Sequence, residues 1–198
     1  MNKTELIELI VTHFEEHPII FTTGYASRIA FELRPTATNH FYMVGSMGMA
    51  SALGRGVATR LGTNARFAVI VDGDGAMLMG LHCLLLEQEV PSAILHIVAN
   101  DSSYASTGGQ QAPASVGNLC SLACAAGYGF VKELKAPGTS FAETLSSAVP
   151  IVMNGNSAFI NCHVEPGPAP VGRINLALAD IATQFKAFIK DRSPLSPS

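Results

Sequence analysis

The chain has 198 residues, 48 % of them hydrophobic and only 14 % charged, with a formal net charge of -3. That length fits one domain or slightly more, and a charged share well below the usual value of about a quarter excludes a disordered chain and a coiled coil. The mild negative balance speaks against a nucleic-acid module, which carries a basic face, and no apolar run is long enough to span a membrane.

A surface this poor in charge is expected to be hidden in part against a partner. Acidic residues interrupt the opening stretch MNKTELIELIVTHFEEHP, so it does not read as a signal peptide, and a cytoplasmic location with reduced thiols is expected. The four cysteines, Cys83, Cys120, Cys124 and Cys162, show no Cys-x-x-Cys spacing and are expected to be buried small hydrophobes. His82 and His96 sit in apolar runs and are expected to be packed rather than ligating.

Thr4 is placed to cap a helix over 5–16 with a stripe of Leu6, Ile7, Ile10, Val11 and Phe14, ended by Pro18. A short buried strand follows over 19–22, then a turn at Gly24 and a helix over 27–33. A second short strand over 41–44 runs into Gly45-Ser46-Met47-Gly48, and residues 50–61 read as a small-residue helix. The apolar strand over 67–71 ends at Asp72-Gly73-Asp74-Gly75, and a helix over 76–88 leads to a strand over 93–99. A polar loop over 100–111 precedes a helix over 116–126 and a strand over 130–133. A helix over 139–149, a strand over 158–164 and a closing helix over 175–190 complete the pattern, and the tail over 193–198 is expected to fray.

Strand and helix alternate, and the strands are apolar on both faces. The pattern is that of an α/β protein with an open, mostly parallel sheet covered by helices on both faces, in a single domain over 1–198. Such sheets bind ligands at the carboxyl ends of their strands, where three loops carry unusual residues. Gly45-Ser46-Met47-Gly48 is a strand-to-helix turn that lets a phosphate approach the backbone, although many purely structural turns look alike. Asp74 lies between two glycines at the end of a buried strand and suits a hard cation such as Mg2+. Asn100 and Asp101 open the loop after the next strand, which the crossover rule places beside it, so Asp74 and Asp101 are expected to converge. A G-x-G-x-x-G spacing and a Walker lysine are both absent.

The interval from Gly73-Asp74-Gly75 to Asn100-Asp101, filled by one helix and one strand, resembles the Mg-diphosphate motif of thiamine-diphosphate enzymes. Three further segments are similar to the phosphonopyruvate decarboxylases: Thr22-Thr23-Gly24 with Ser27-Arg28, Gly45-Ser46-Met47-Gly48-Met49-Ala50-Ser51, and Ser106-Thr107-Gly108-Gly109-Gln110. Phe41-Tyr42-Met43 is similar to the related sulfopyruvate decarboxylase beta subunits, and the resemblance runs from about residue 20 to 165.

The resemblance implies thiamine diphosphate and Mg2+ as cofactors. It implies that Asp74 holds the metal with Asp101, or alternatively Asn100, and with the Ser103 backbone carbonyl. Gly45, Ser46, Gly73, Gly75, Ala76 and Tyr104 are then expected near the cofactor, with Met47 propping its bent form. Arg28, Ser106, Thr107 and Gln110 are expected to face the substrate's anionic tail. The family's catalytic glutamate lies on a pyrimidine-binding domain that has no counterpart here. The chain therefore resembles one subunit of a split enzyme, active only in a hetero-oligomer with a pyrimidine-binding partner. The implied reaction is decarboxylation of 3-phosphonopyruvate to phosphonoacetaldehyde and CO2. Sulfopyruvate is the alternative substrate, and a synthase acting on a 2-oxo acid ranks third. The rival from another class is a non-catalytic cofactor-binding module that stabilises a partner. Departures from the family are Asp101 for asparagine, Tyr104-Ala105 for His-Asp, and Ile29 for the glutamate of Ser-Arg-Glu.

Overall fold

The computed structural model describes residues 1–62, 66–113, 118–135, 140–169 and 172–192. The expected helix starts at Val116 and Thr139, and the tail from Ser193, lie outside the described residues. Six strands, β1 (Ile19–Phe21), β2 (His40–Tyr42), β3 (Ala68–Gly73), β4 (Ile94–Asn100), β5 (Phe130–Leu134) and β6 (Ala158–His163), form one sheet in the order β2-β1-β3-β4-β6-β5. All its pairings are parallel. The strand order reverses between β1 and β3, which opens a crevice at their carboxyl ends.

Side chains of a strand alternate between faces, and here both faces are dry. Ile19, Phe21, Val69, Val71, Leu95 and Ile97 pack under α1 (Lys3–His13), α2 (Tyr25–Leu33) and α7 (Ser140–Met153). Ile20, Ile70 and Val98 pack under α3 (Ala50–Leu61), α6 (Leu119–Ala126) and α8 (Leu178–Arg192). Burying each such side chain is worth roughly 1.5–3 kcal/mol, which is why the strands carry no polar face.

The first helix begins earlier than expected. Its cap is Asn2, not Thr4: Asn2 Oδ1 accepts from the Glu5 N–H at 3.0 Å and Glu5 Oε2 accepts from the Asn2 N–H at 2.9 Å. This reciprocal pair is a capping box. The helix expected over 76–88 is broken into α4 (Asp74–Met79), a 3-10 segment (Leu81–Leu85) and α5 (Leu86–Glu89). The break falls at Gly80, whose backbone lies against Gly48 so closely that a Cβ on Gly80 would meet the Gly48 carbonyl oxygen.

A buried polar chain ties the broken segment to the sheet. Arg55 Nη1 pairs with Glu87 Oε2 at 2.7 Å, and Arg55 Nη2 donates to the Tyr128 hydroxyl at 3.0 Å. That hydroxyl lies 3.2 Å from His96 Nδ1, and His96 Nε2 lies 3.0 Å from Asp72 Oδ2. His96 is thus fully buried and partnered, while His82 is exposed, contrary to the sequence expectation. Cys83 and Cys162 are buried, but Cys120 is only half-buried and Cys124 is exposed on α6, so these two are not core residues. No described helix is long and apolar enough to cross a membrane.

His40 sits in β2 with Nδ1 at 3.0 Å from the Tyr42 hydroxyl. Burial lowers its pKa from 6.5 to about 4, with the Arg34 charge acting in the same direction. The folded state therefore holds the neutral ring, and the unfolded chain binds the proton first as pH falls. The stability this contributes is whole above pH 6.5 and is lost on acidification toward pH 4. A tenfold difference in proton affinity corresponds to about 1.4 kcal/mol, so the loss is on the order of 3 kcal/mol. Urea midpoints of the wild type and His40→Gln across that range are expected to converge toward low pH. Parallel pH profiles would refute the assignment.

Candidate functional site

The crevice between β1 and β3 receives the end of β1, the start of α4 and the loop after β4. Register pairs Gly73 with Ala99, so Asp74 and Asn100 leave neighbouring strands at one level. Asp74 is 2 % exposed, and its Oδ2 has no hydrogen-bond partner among the described residues. Burial pushes its carboxyl above the ordinary range and the Asp101 charge adds to this, while backbone hydrogen bonds at Gly75 and Ser103 oppose it. The Thr22 hydroxyl is likewise buried without a partner. Both residues line one cavity of about 40 Å3, room for an ion and a few ligand oxygens. Lys3 lines the same cavity, and among the described residues no group of three His, Cys, Asp or Glu side chains comes together, so a hard cation such as Mg2+ would rest on the Asp74 carboxylate with backbone and cofactor oxygens.

Asp101 does not stand alone. Lys3 Nζ, from the first turn of α1, is 2.7 Å from Asp101 Oδ2, and both side chains are almost completely buried. The Ser103 hydroxyl donates to Asp101 Oδ1 at 3.4 Å. The amide of Asn100 is engaged at both ends. Its Oδ1 accepts from the Ser102 N–H at 3.0 Å, and its Nδ2 donates to Asn161 Oδ1 at 3.2 Å. Ser102 holds φ at 56°, a left-handed conformation that non-glycine residues adopt at a cost.

Gly73, Gly75, Ala76, Ser103 and Tyr104 line the Asp74 cavity. Glycine is required at 75 because a Cβ there would lie 2.6 Å from the Tyr104 ring. The Tyr104 carbonyl accepts the N–H groups of Thr107, Gly108 and Gly109, which folds the loop back on itself. A second cavity of about 480 Å3 adjoins the first, with Thr23, Met47 and Ser106 on both. Arg28 and Thr107 line the second cavity, so three of the four residues expected at a substrate tail meet there. Gln110 lines neither cavity; its amide folds against Gly108. Ser46 opens onto an apolar groove with Met49 that shares Met43, Val44, Leu178 and Ile181 with the second cavity, and Gly45 is exposed on the loop before it.

Sequence patterns point to neither of two further residues at these cavities. Lys3 carries no motif, since its partner is 98 residues away. Arg173, on the second cavity, follows a proline- and glycine-rich stretch that reads as a connector.

Comparison with known proteins gives this geometry a family. Residues 22–162 match the family model described as thiamine pyrophosphate enzyme, C-terminal TPP binding domain. The sulfopyruvate decarboxylase subunit beta of Methanothermobacter thermautotrophicus is 32 % identical over 186 residues, which is 93 % of this chain and 94 % of that subunit. The phosphonopyruvate decarboxylase of Streptomyces viridochromogenes is 32 % identical over 173 residues, 86 % of this chain but only 42 % of that enzyme. In fold, the chain is similar to the thiamine diphosphate-dependent 4-hydroxybenzoylformate decarboxylase of Rhodococcus jostii RHA1. The TM-score is 0.62 at 14 % identity, over 84 % of this chain and 33 % of that one. With a buried, unpartnered carboxylate at the switch point of a parallel sheet and these matches over most of its length, the chain belongs to the thiamine pyrophosphate enzymes, as a C-terminal-type TPP-binding domain of the decarboxylase branch.

Proposed function

We propose that the chain is the diphosphate- and metal-holding subunit of a two-subunit decarboxylase of a three-carbon 2-oxo acid with an anionic tail. The observation that carries this reading is the buried, unpartnered Asp74 Oδ2 beside a cavity that continues into one lined by Arg28, Ser106 and Thr107. A separate partner subunit is supported by length. The beta subunits of M. thermautotrophicus and Methanococcus maripaludis are covered to 94 % and 98 %. The same full-length coverage supports a sulfonate tail and ranks sulfopyruvate first, ahead of the phosphonopyruvate favoured by the motifs. Phosphonopyruvate is retained as the second reading because its Streptomyces decarboxylases are as similar, at 32 % and 33 % identity.

When bound, thiamine diphosphate supplies the carbanion that adds to the ketone and the sink for the electrons left when CO2 departs. This chain's residues bind and orient. Asp74 holds Mg2+ through the carboxylate that burial has left without a partner. Asp101, or alternatively Asn100, is the second ligand; each is already engaged at both ends, Asp101 by Lys3 and Ser103 and Asn100 by Ser102 and Asn161, and neither lines the Asp74 cavity. Lys3 offsets the charge that an aspartate adds where the family has asparagine, so the site keeps the net charge of an Asp-Asn pair. Met47, shared by both cavities, fills the space between metal and substrate with a flexible thioether. Mg2+, the partner subunit and the cytoplasmic location are parts of this proposal.

Asp74→Asn is expected to lower Mg2+-dependent thiamine diphosphate binding at least 100-fold in calorimetry. Without ligands it is expected to raise the melting temperature, because a buried charge is removed; 1 kcal/mol corresponds to ~2–4 °C at this size. Unchanged affinity would refute the metal assignment.

Lys3→Met and Asp101→Asn are each expected to destabilise the fold by about 3 kcal/mol, since each leaves one buried group unpaired. The double variant is expected to recover much of the loss. Strict additivity in urea denaturation would show that the pair is not coupled.

CO2 release from sulfopyruvate, phosphonopyruvate and pyruvate tests the function itself. The chain alone is expected to be inactive, and co-expression with a pyrimidine-binding subunit is expected to give turnover of the anionic-tailed acids. Equal turnover of pyruvate would overturn the tail argument, and robust activity of the chain alone would overturn the split-enzyme reading.

A further inference from the structure

The second cavity gathers two cations from distant parts of the chain. Arg28 comes from α2 and lies over the Tyr25 ring at 5.8 Å from its centroid. Arg173 comes from the segment 172–176 between β6 and α8. That segment is fastened down: the Gly172 N–H donates to Glu32 Oε1 at 3.0 Å, and Ile174 and Leu176 pack against the core. Glu32 sits one turn beyond Arg28, so the fastening ties the segment that carries Arg173 to the helix that carries Arg28. No carboxylate lines the cavity, and neither guanidinium has an ion-pair partner among the described residues. The Ser106 hydroxyl adds a donor to this wall, while the Thr107 hydroxyl donates to the Tyr104 carbonyl at 3.1 Å.

Two like charges at one cavity repel each other, and an anion between them reverses the sign of that interaction. We propose that Arg28 and Arg173 form a two-guanidinium clamp for the tetrahedral anionic tail of the substrate, with Arg173 as a specificity-determining residue. The inference rests on the proposal that this cavity receives a 2-oxo acid. A sulfonate or phosphonate presents three oxygens in a tripod. Two planar guanidiniums can each take a pair of hydrogen bonds to such a group, and the Ser106 hydroxyl serves a remaining acceptor site. A phosphonate carries more negative charge than a sulfonate near neutral pH, so it gains more from the second cation. Met47 lies between the clamp and the Asp74 cavity, which sets the tail on the far side of the metal site.

Every group of the clamp belongs to this chain. The test is calorimetry on the chain co-expressed and assembled with a pyrimidine-binding subunit, with Mg2+ and thiamine diphosphate present. The probes are 3-sulfopropanoate and 3-phosphonopropanoate, which lack the reacting ketone, with butanoate as the uncharged-tail control. Both anionic probes are expected to bind at least tenfold more tightly than butanoate. Arg173→Gln and Arg28→Gln are each expected to weaken them tenfold or more, the phosphonate most, and Arg173→Lys is expected to recover part of the loss. Cofactor affinity and melting temperature are expected to stay unchanged in Arg173→Gln, because Arg173 is exposed and outside the Asp74 cavity. Affinity of Arg173→Gln within twofold of wild type for both probes would overturn the clamp. Failure of the wild type to bind either probe while it binds the cofactor would also overturn the clamp and leave the functional reading standing. Failure to bind the cofactor at all would overturn the functional reading.

Discussion

The carboxyl edge of this sheet is organised around an acid sealed from water. Asp74 sits at the reversal of strand order with one oxygen unpartnered, and its pKa is raised by burial and by the Asp101 charge nearby. A fold tolerates such a group only when the surrounding structure is over-determined or when a cation completes the site. The first condition has visible machinery here. The sheet beneath is dry on both faces, and α4 starts directly at Asp74. Gly73 leaves the strand in extended conformation and Gly75 admits the Tyr104 ring.

The second requirement is that the loops hold their positions without long helices to carry them. The segment after α4 is a series of short pieces, yet it is fixed at both ends. At one end the Gly48 and Gly80 backbones touch, which locks the 45–48 turn to the start of the 3-10 segment. At the other, the chain from Glu87 through Arg55, Tyr128 and His96 to Asp72 joins α5 to the strand that ends in Asp74. Buried ion pairs of this kind contribute little net stability, but they penalise any arrangement that separates their members. Their effect is to specify position, which the loops of a TPP-binding domain need more than they need additional stability.

Much of this is legible in the sequence, and the limits have physical causes. Helix α3 matches the expected bounds, and the strands do so to within a residue or two, because their apolar runs follow from burial on both faces. The neighbouring placement of Asp74 and Asn100 follows from the right-handed crossover between adjacent parallel strands. The segment 76–88 reads as one helix in sequence because its break depends on contact with Gly48, which no local pattern reveals. Thr4 and Asn2 are both good caps, and the reciprocal bond from Glu5 decides between them. Lys3 and Arg173 escape a sequence reading because each acquires its place only through partners remote in sequence. The expectation for Gln110 takes its position in a motif for the direction of its side chain, and the turn around the Tyr104 carbonyl directs it elsewhere.

The pairing of the first turn with the metal loop bears on how the molecule is made. Met1 contributes its carbonyl to the Glu165 N–H, Asn2 bridges the same residue, and Lys3 reaches Asp101. On a ribosome these residues emerge well before the groups that hold them, which follow only after β4 and then β6 have been synthesised. Contacts of such sequence separation form late, because the intervening loop must be closed before they stabilise anything. The loop that carries Asp101 thus acquires its balancing cation as one of the last events of folding. A nascent chain stalled before β6 would present its acidic pocket uncovered, with the amino-terminal turn still unanchored.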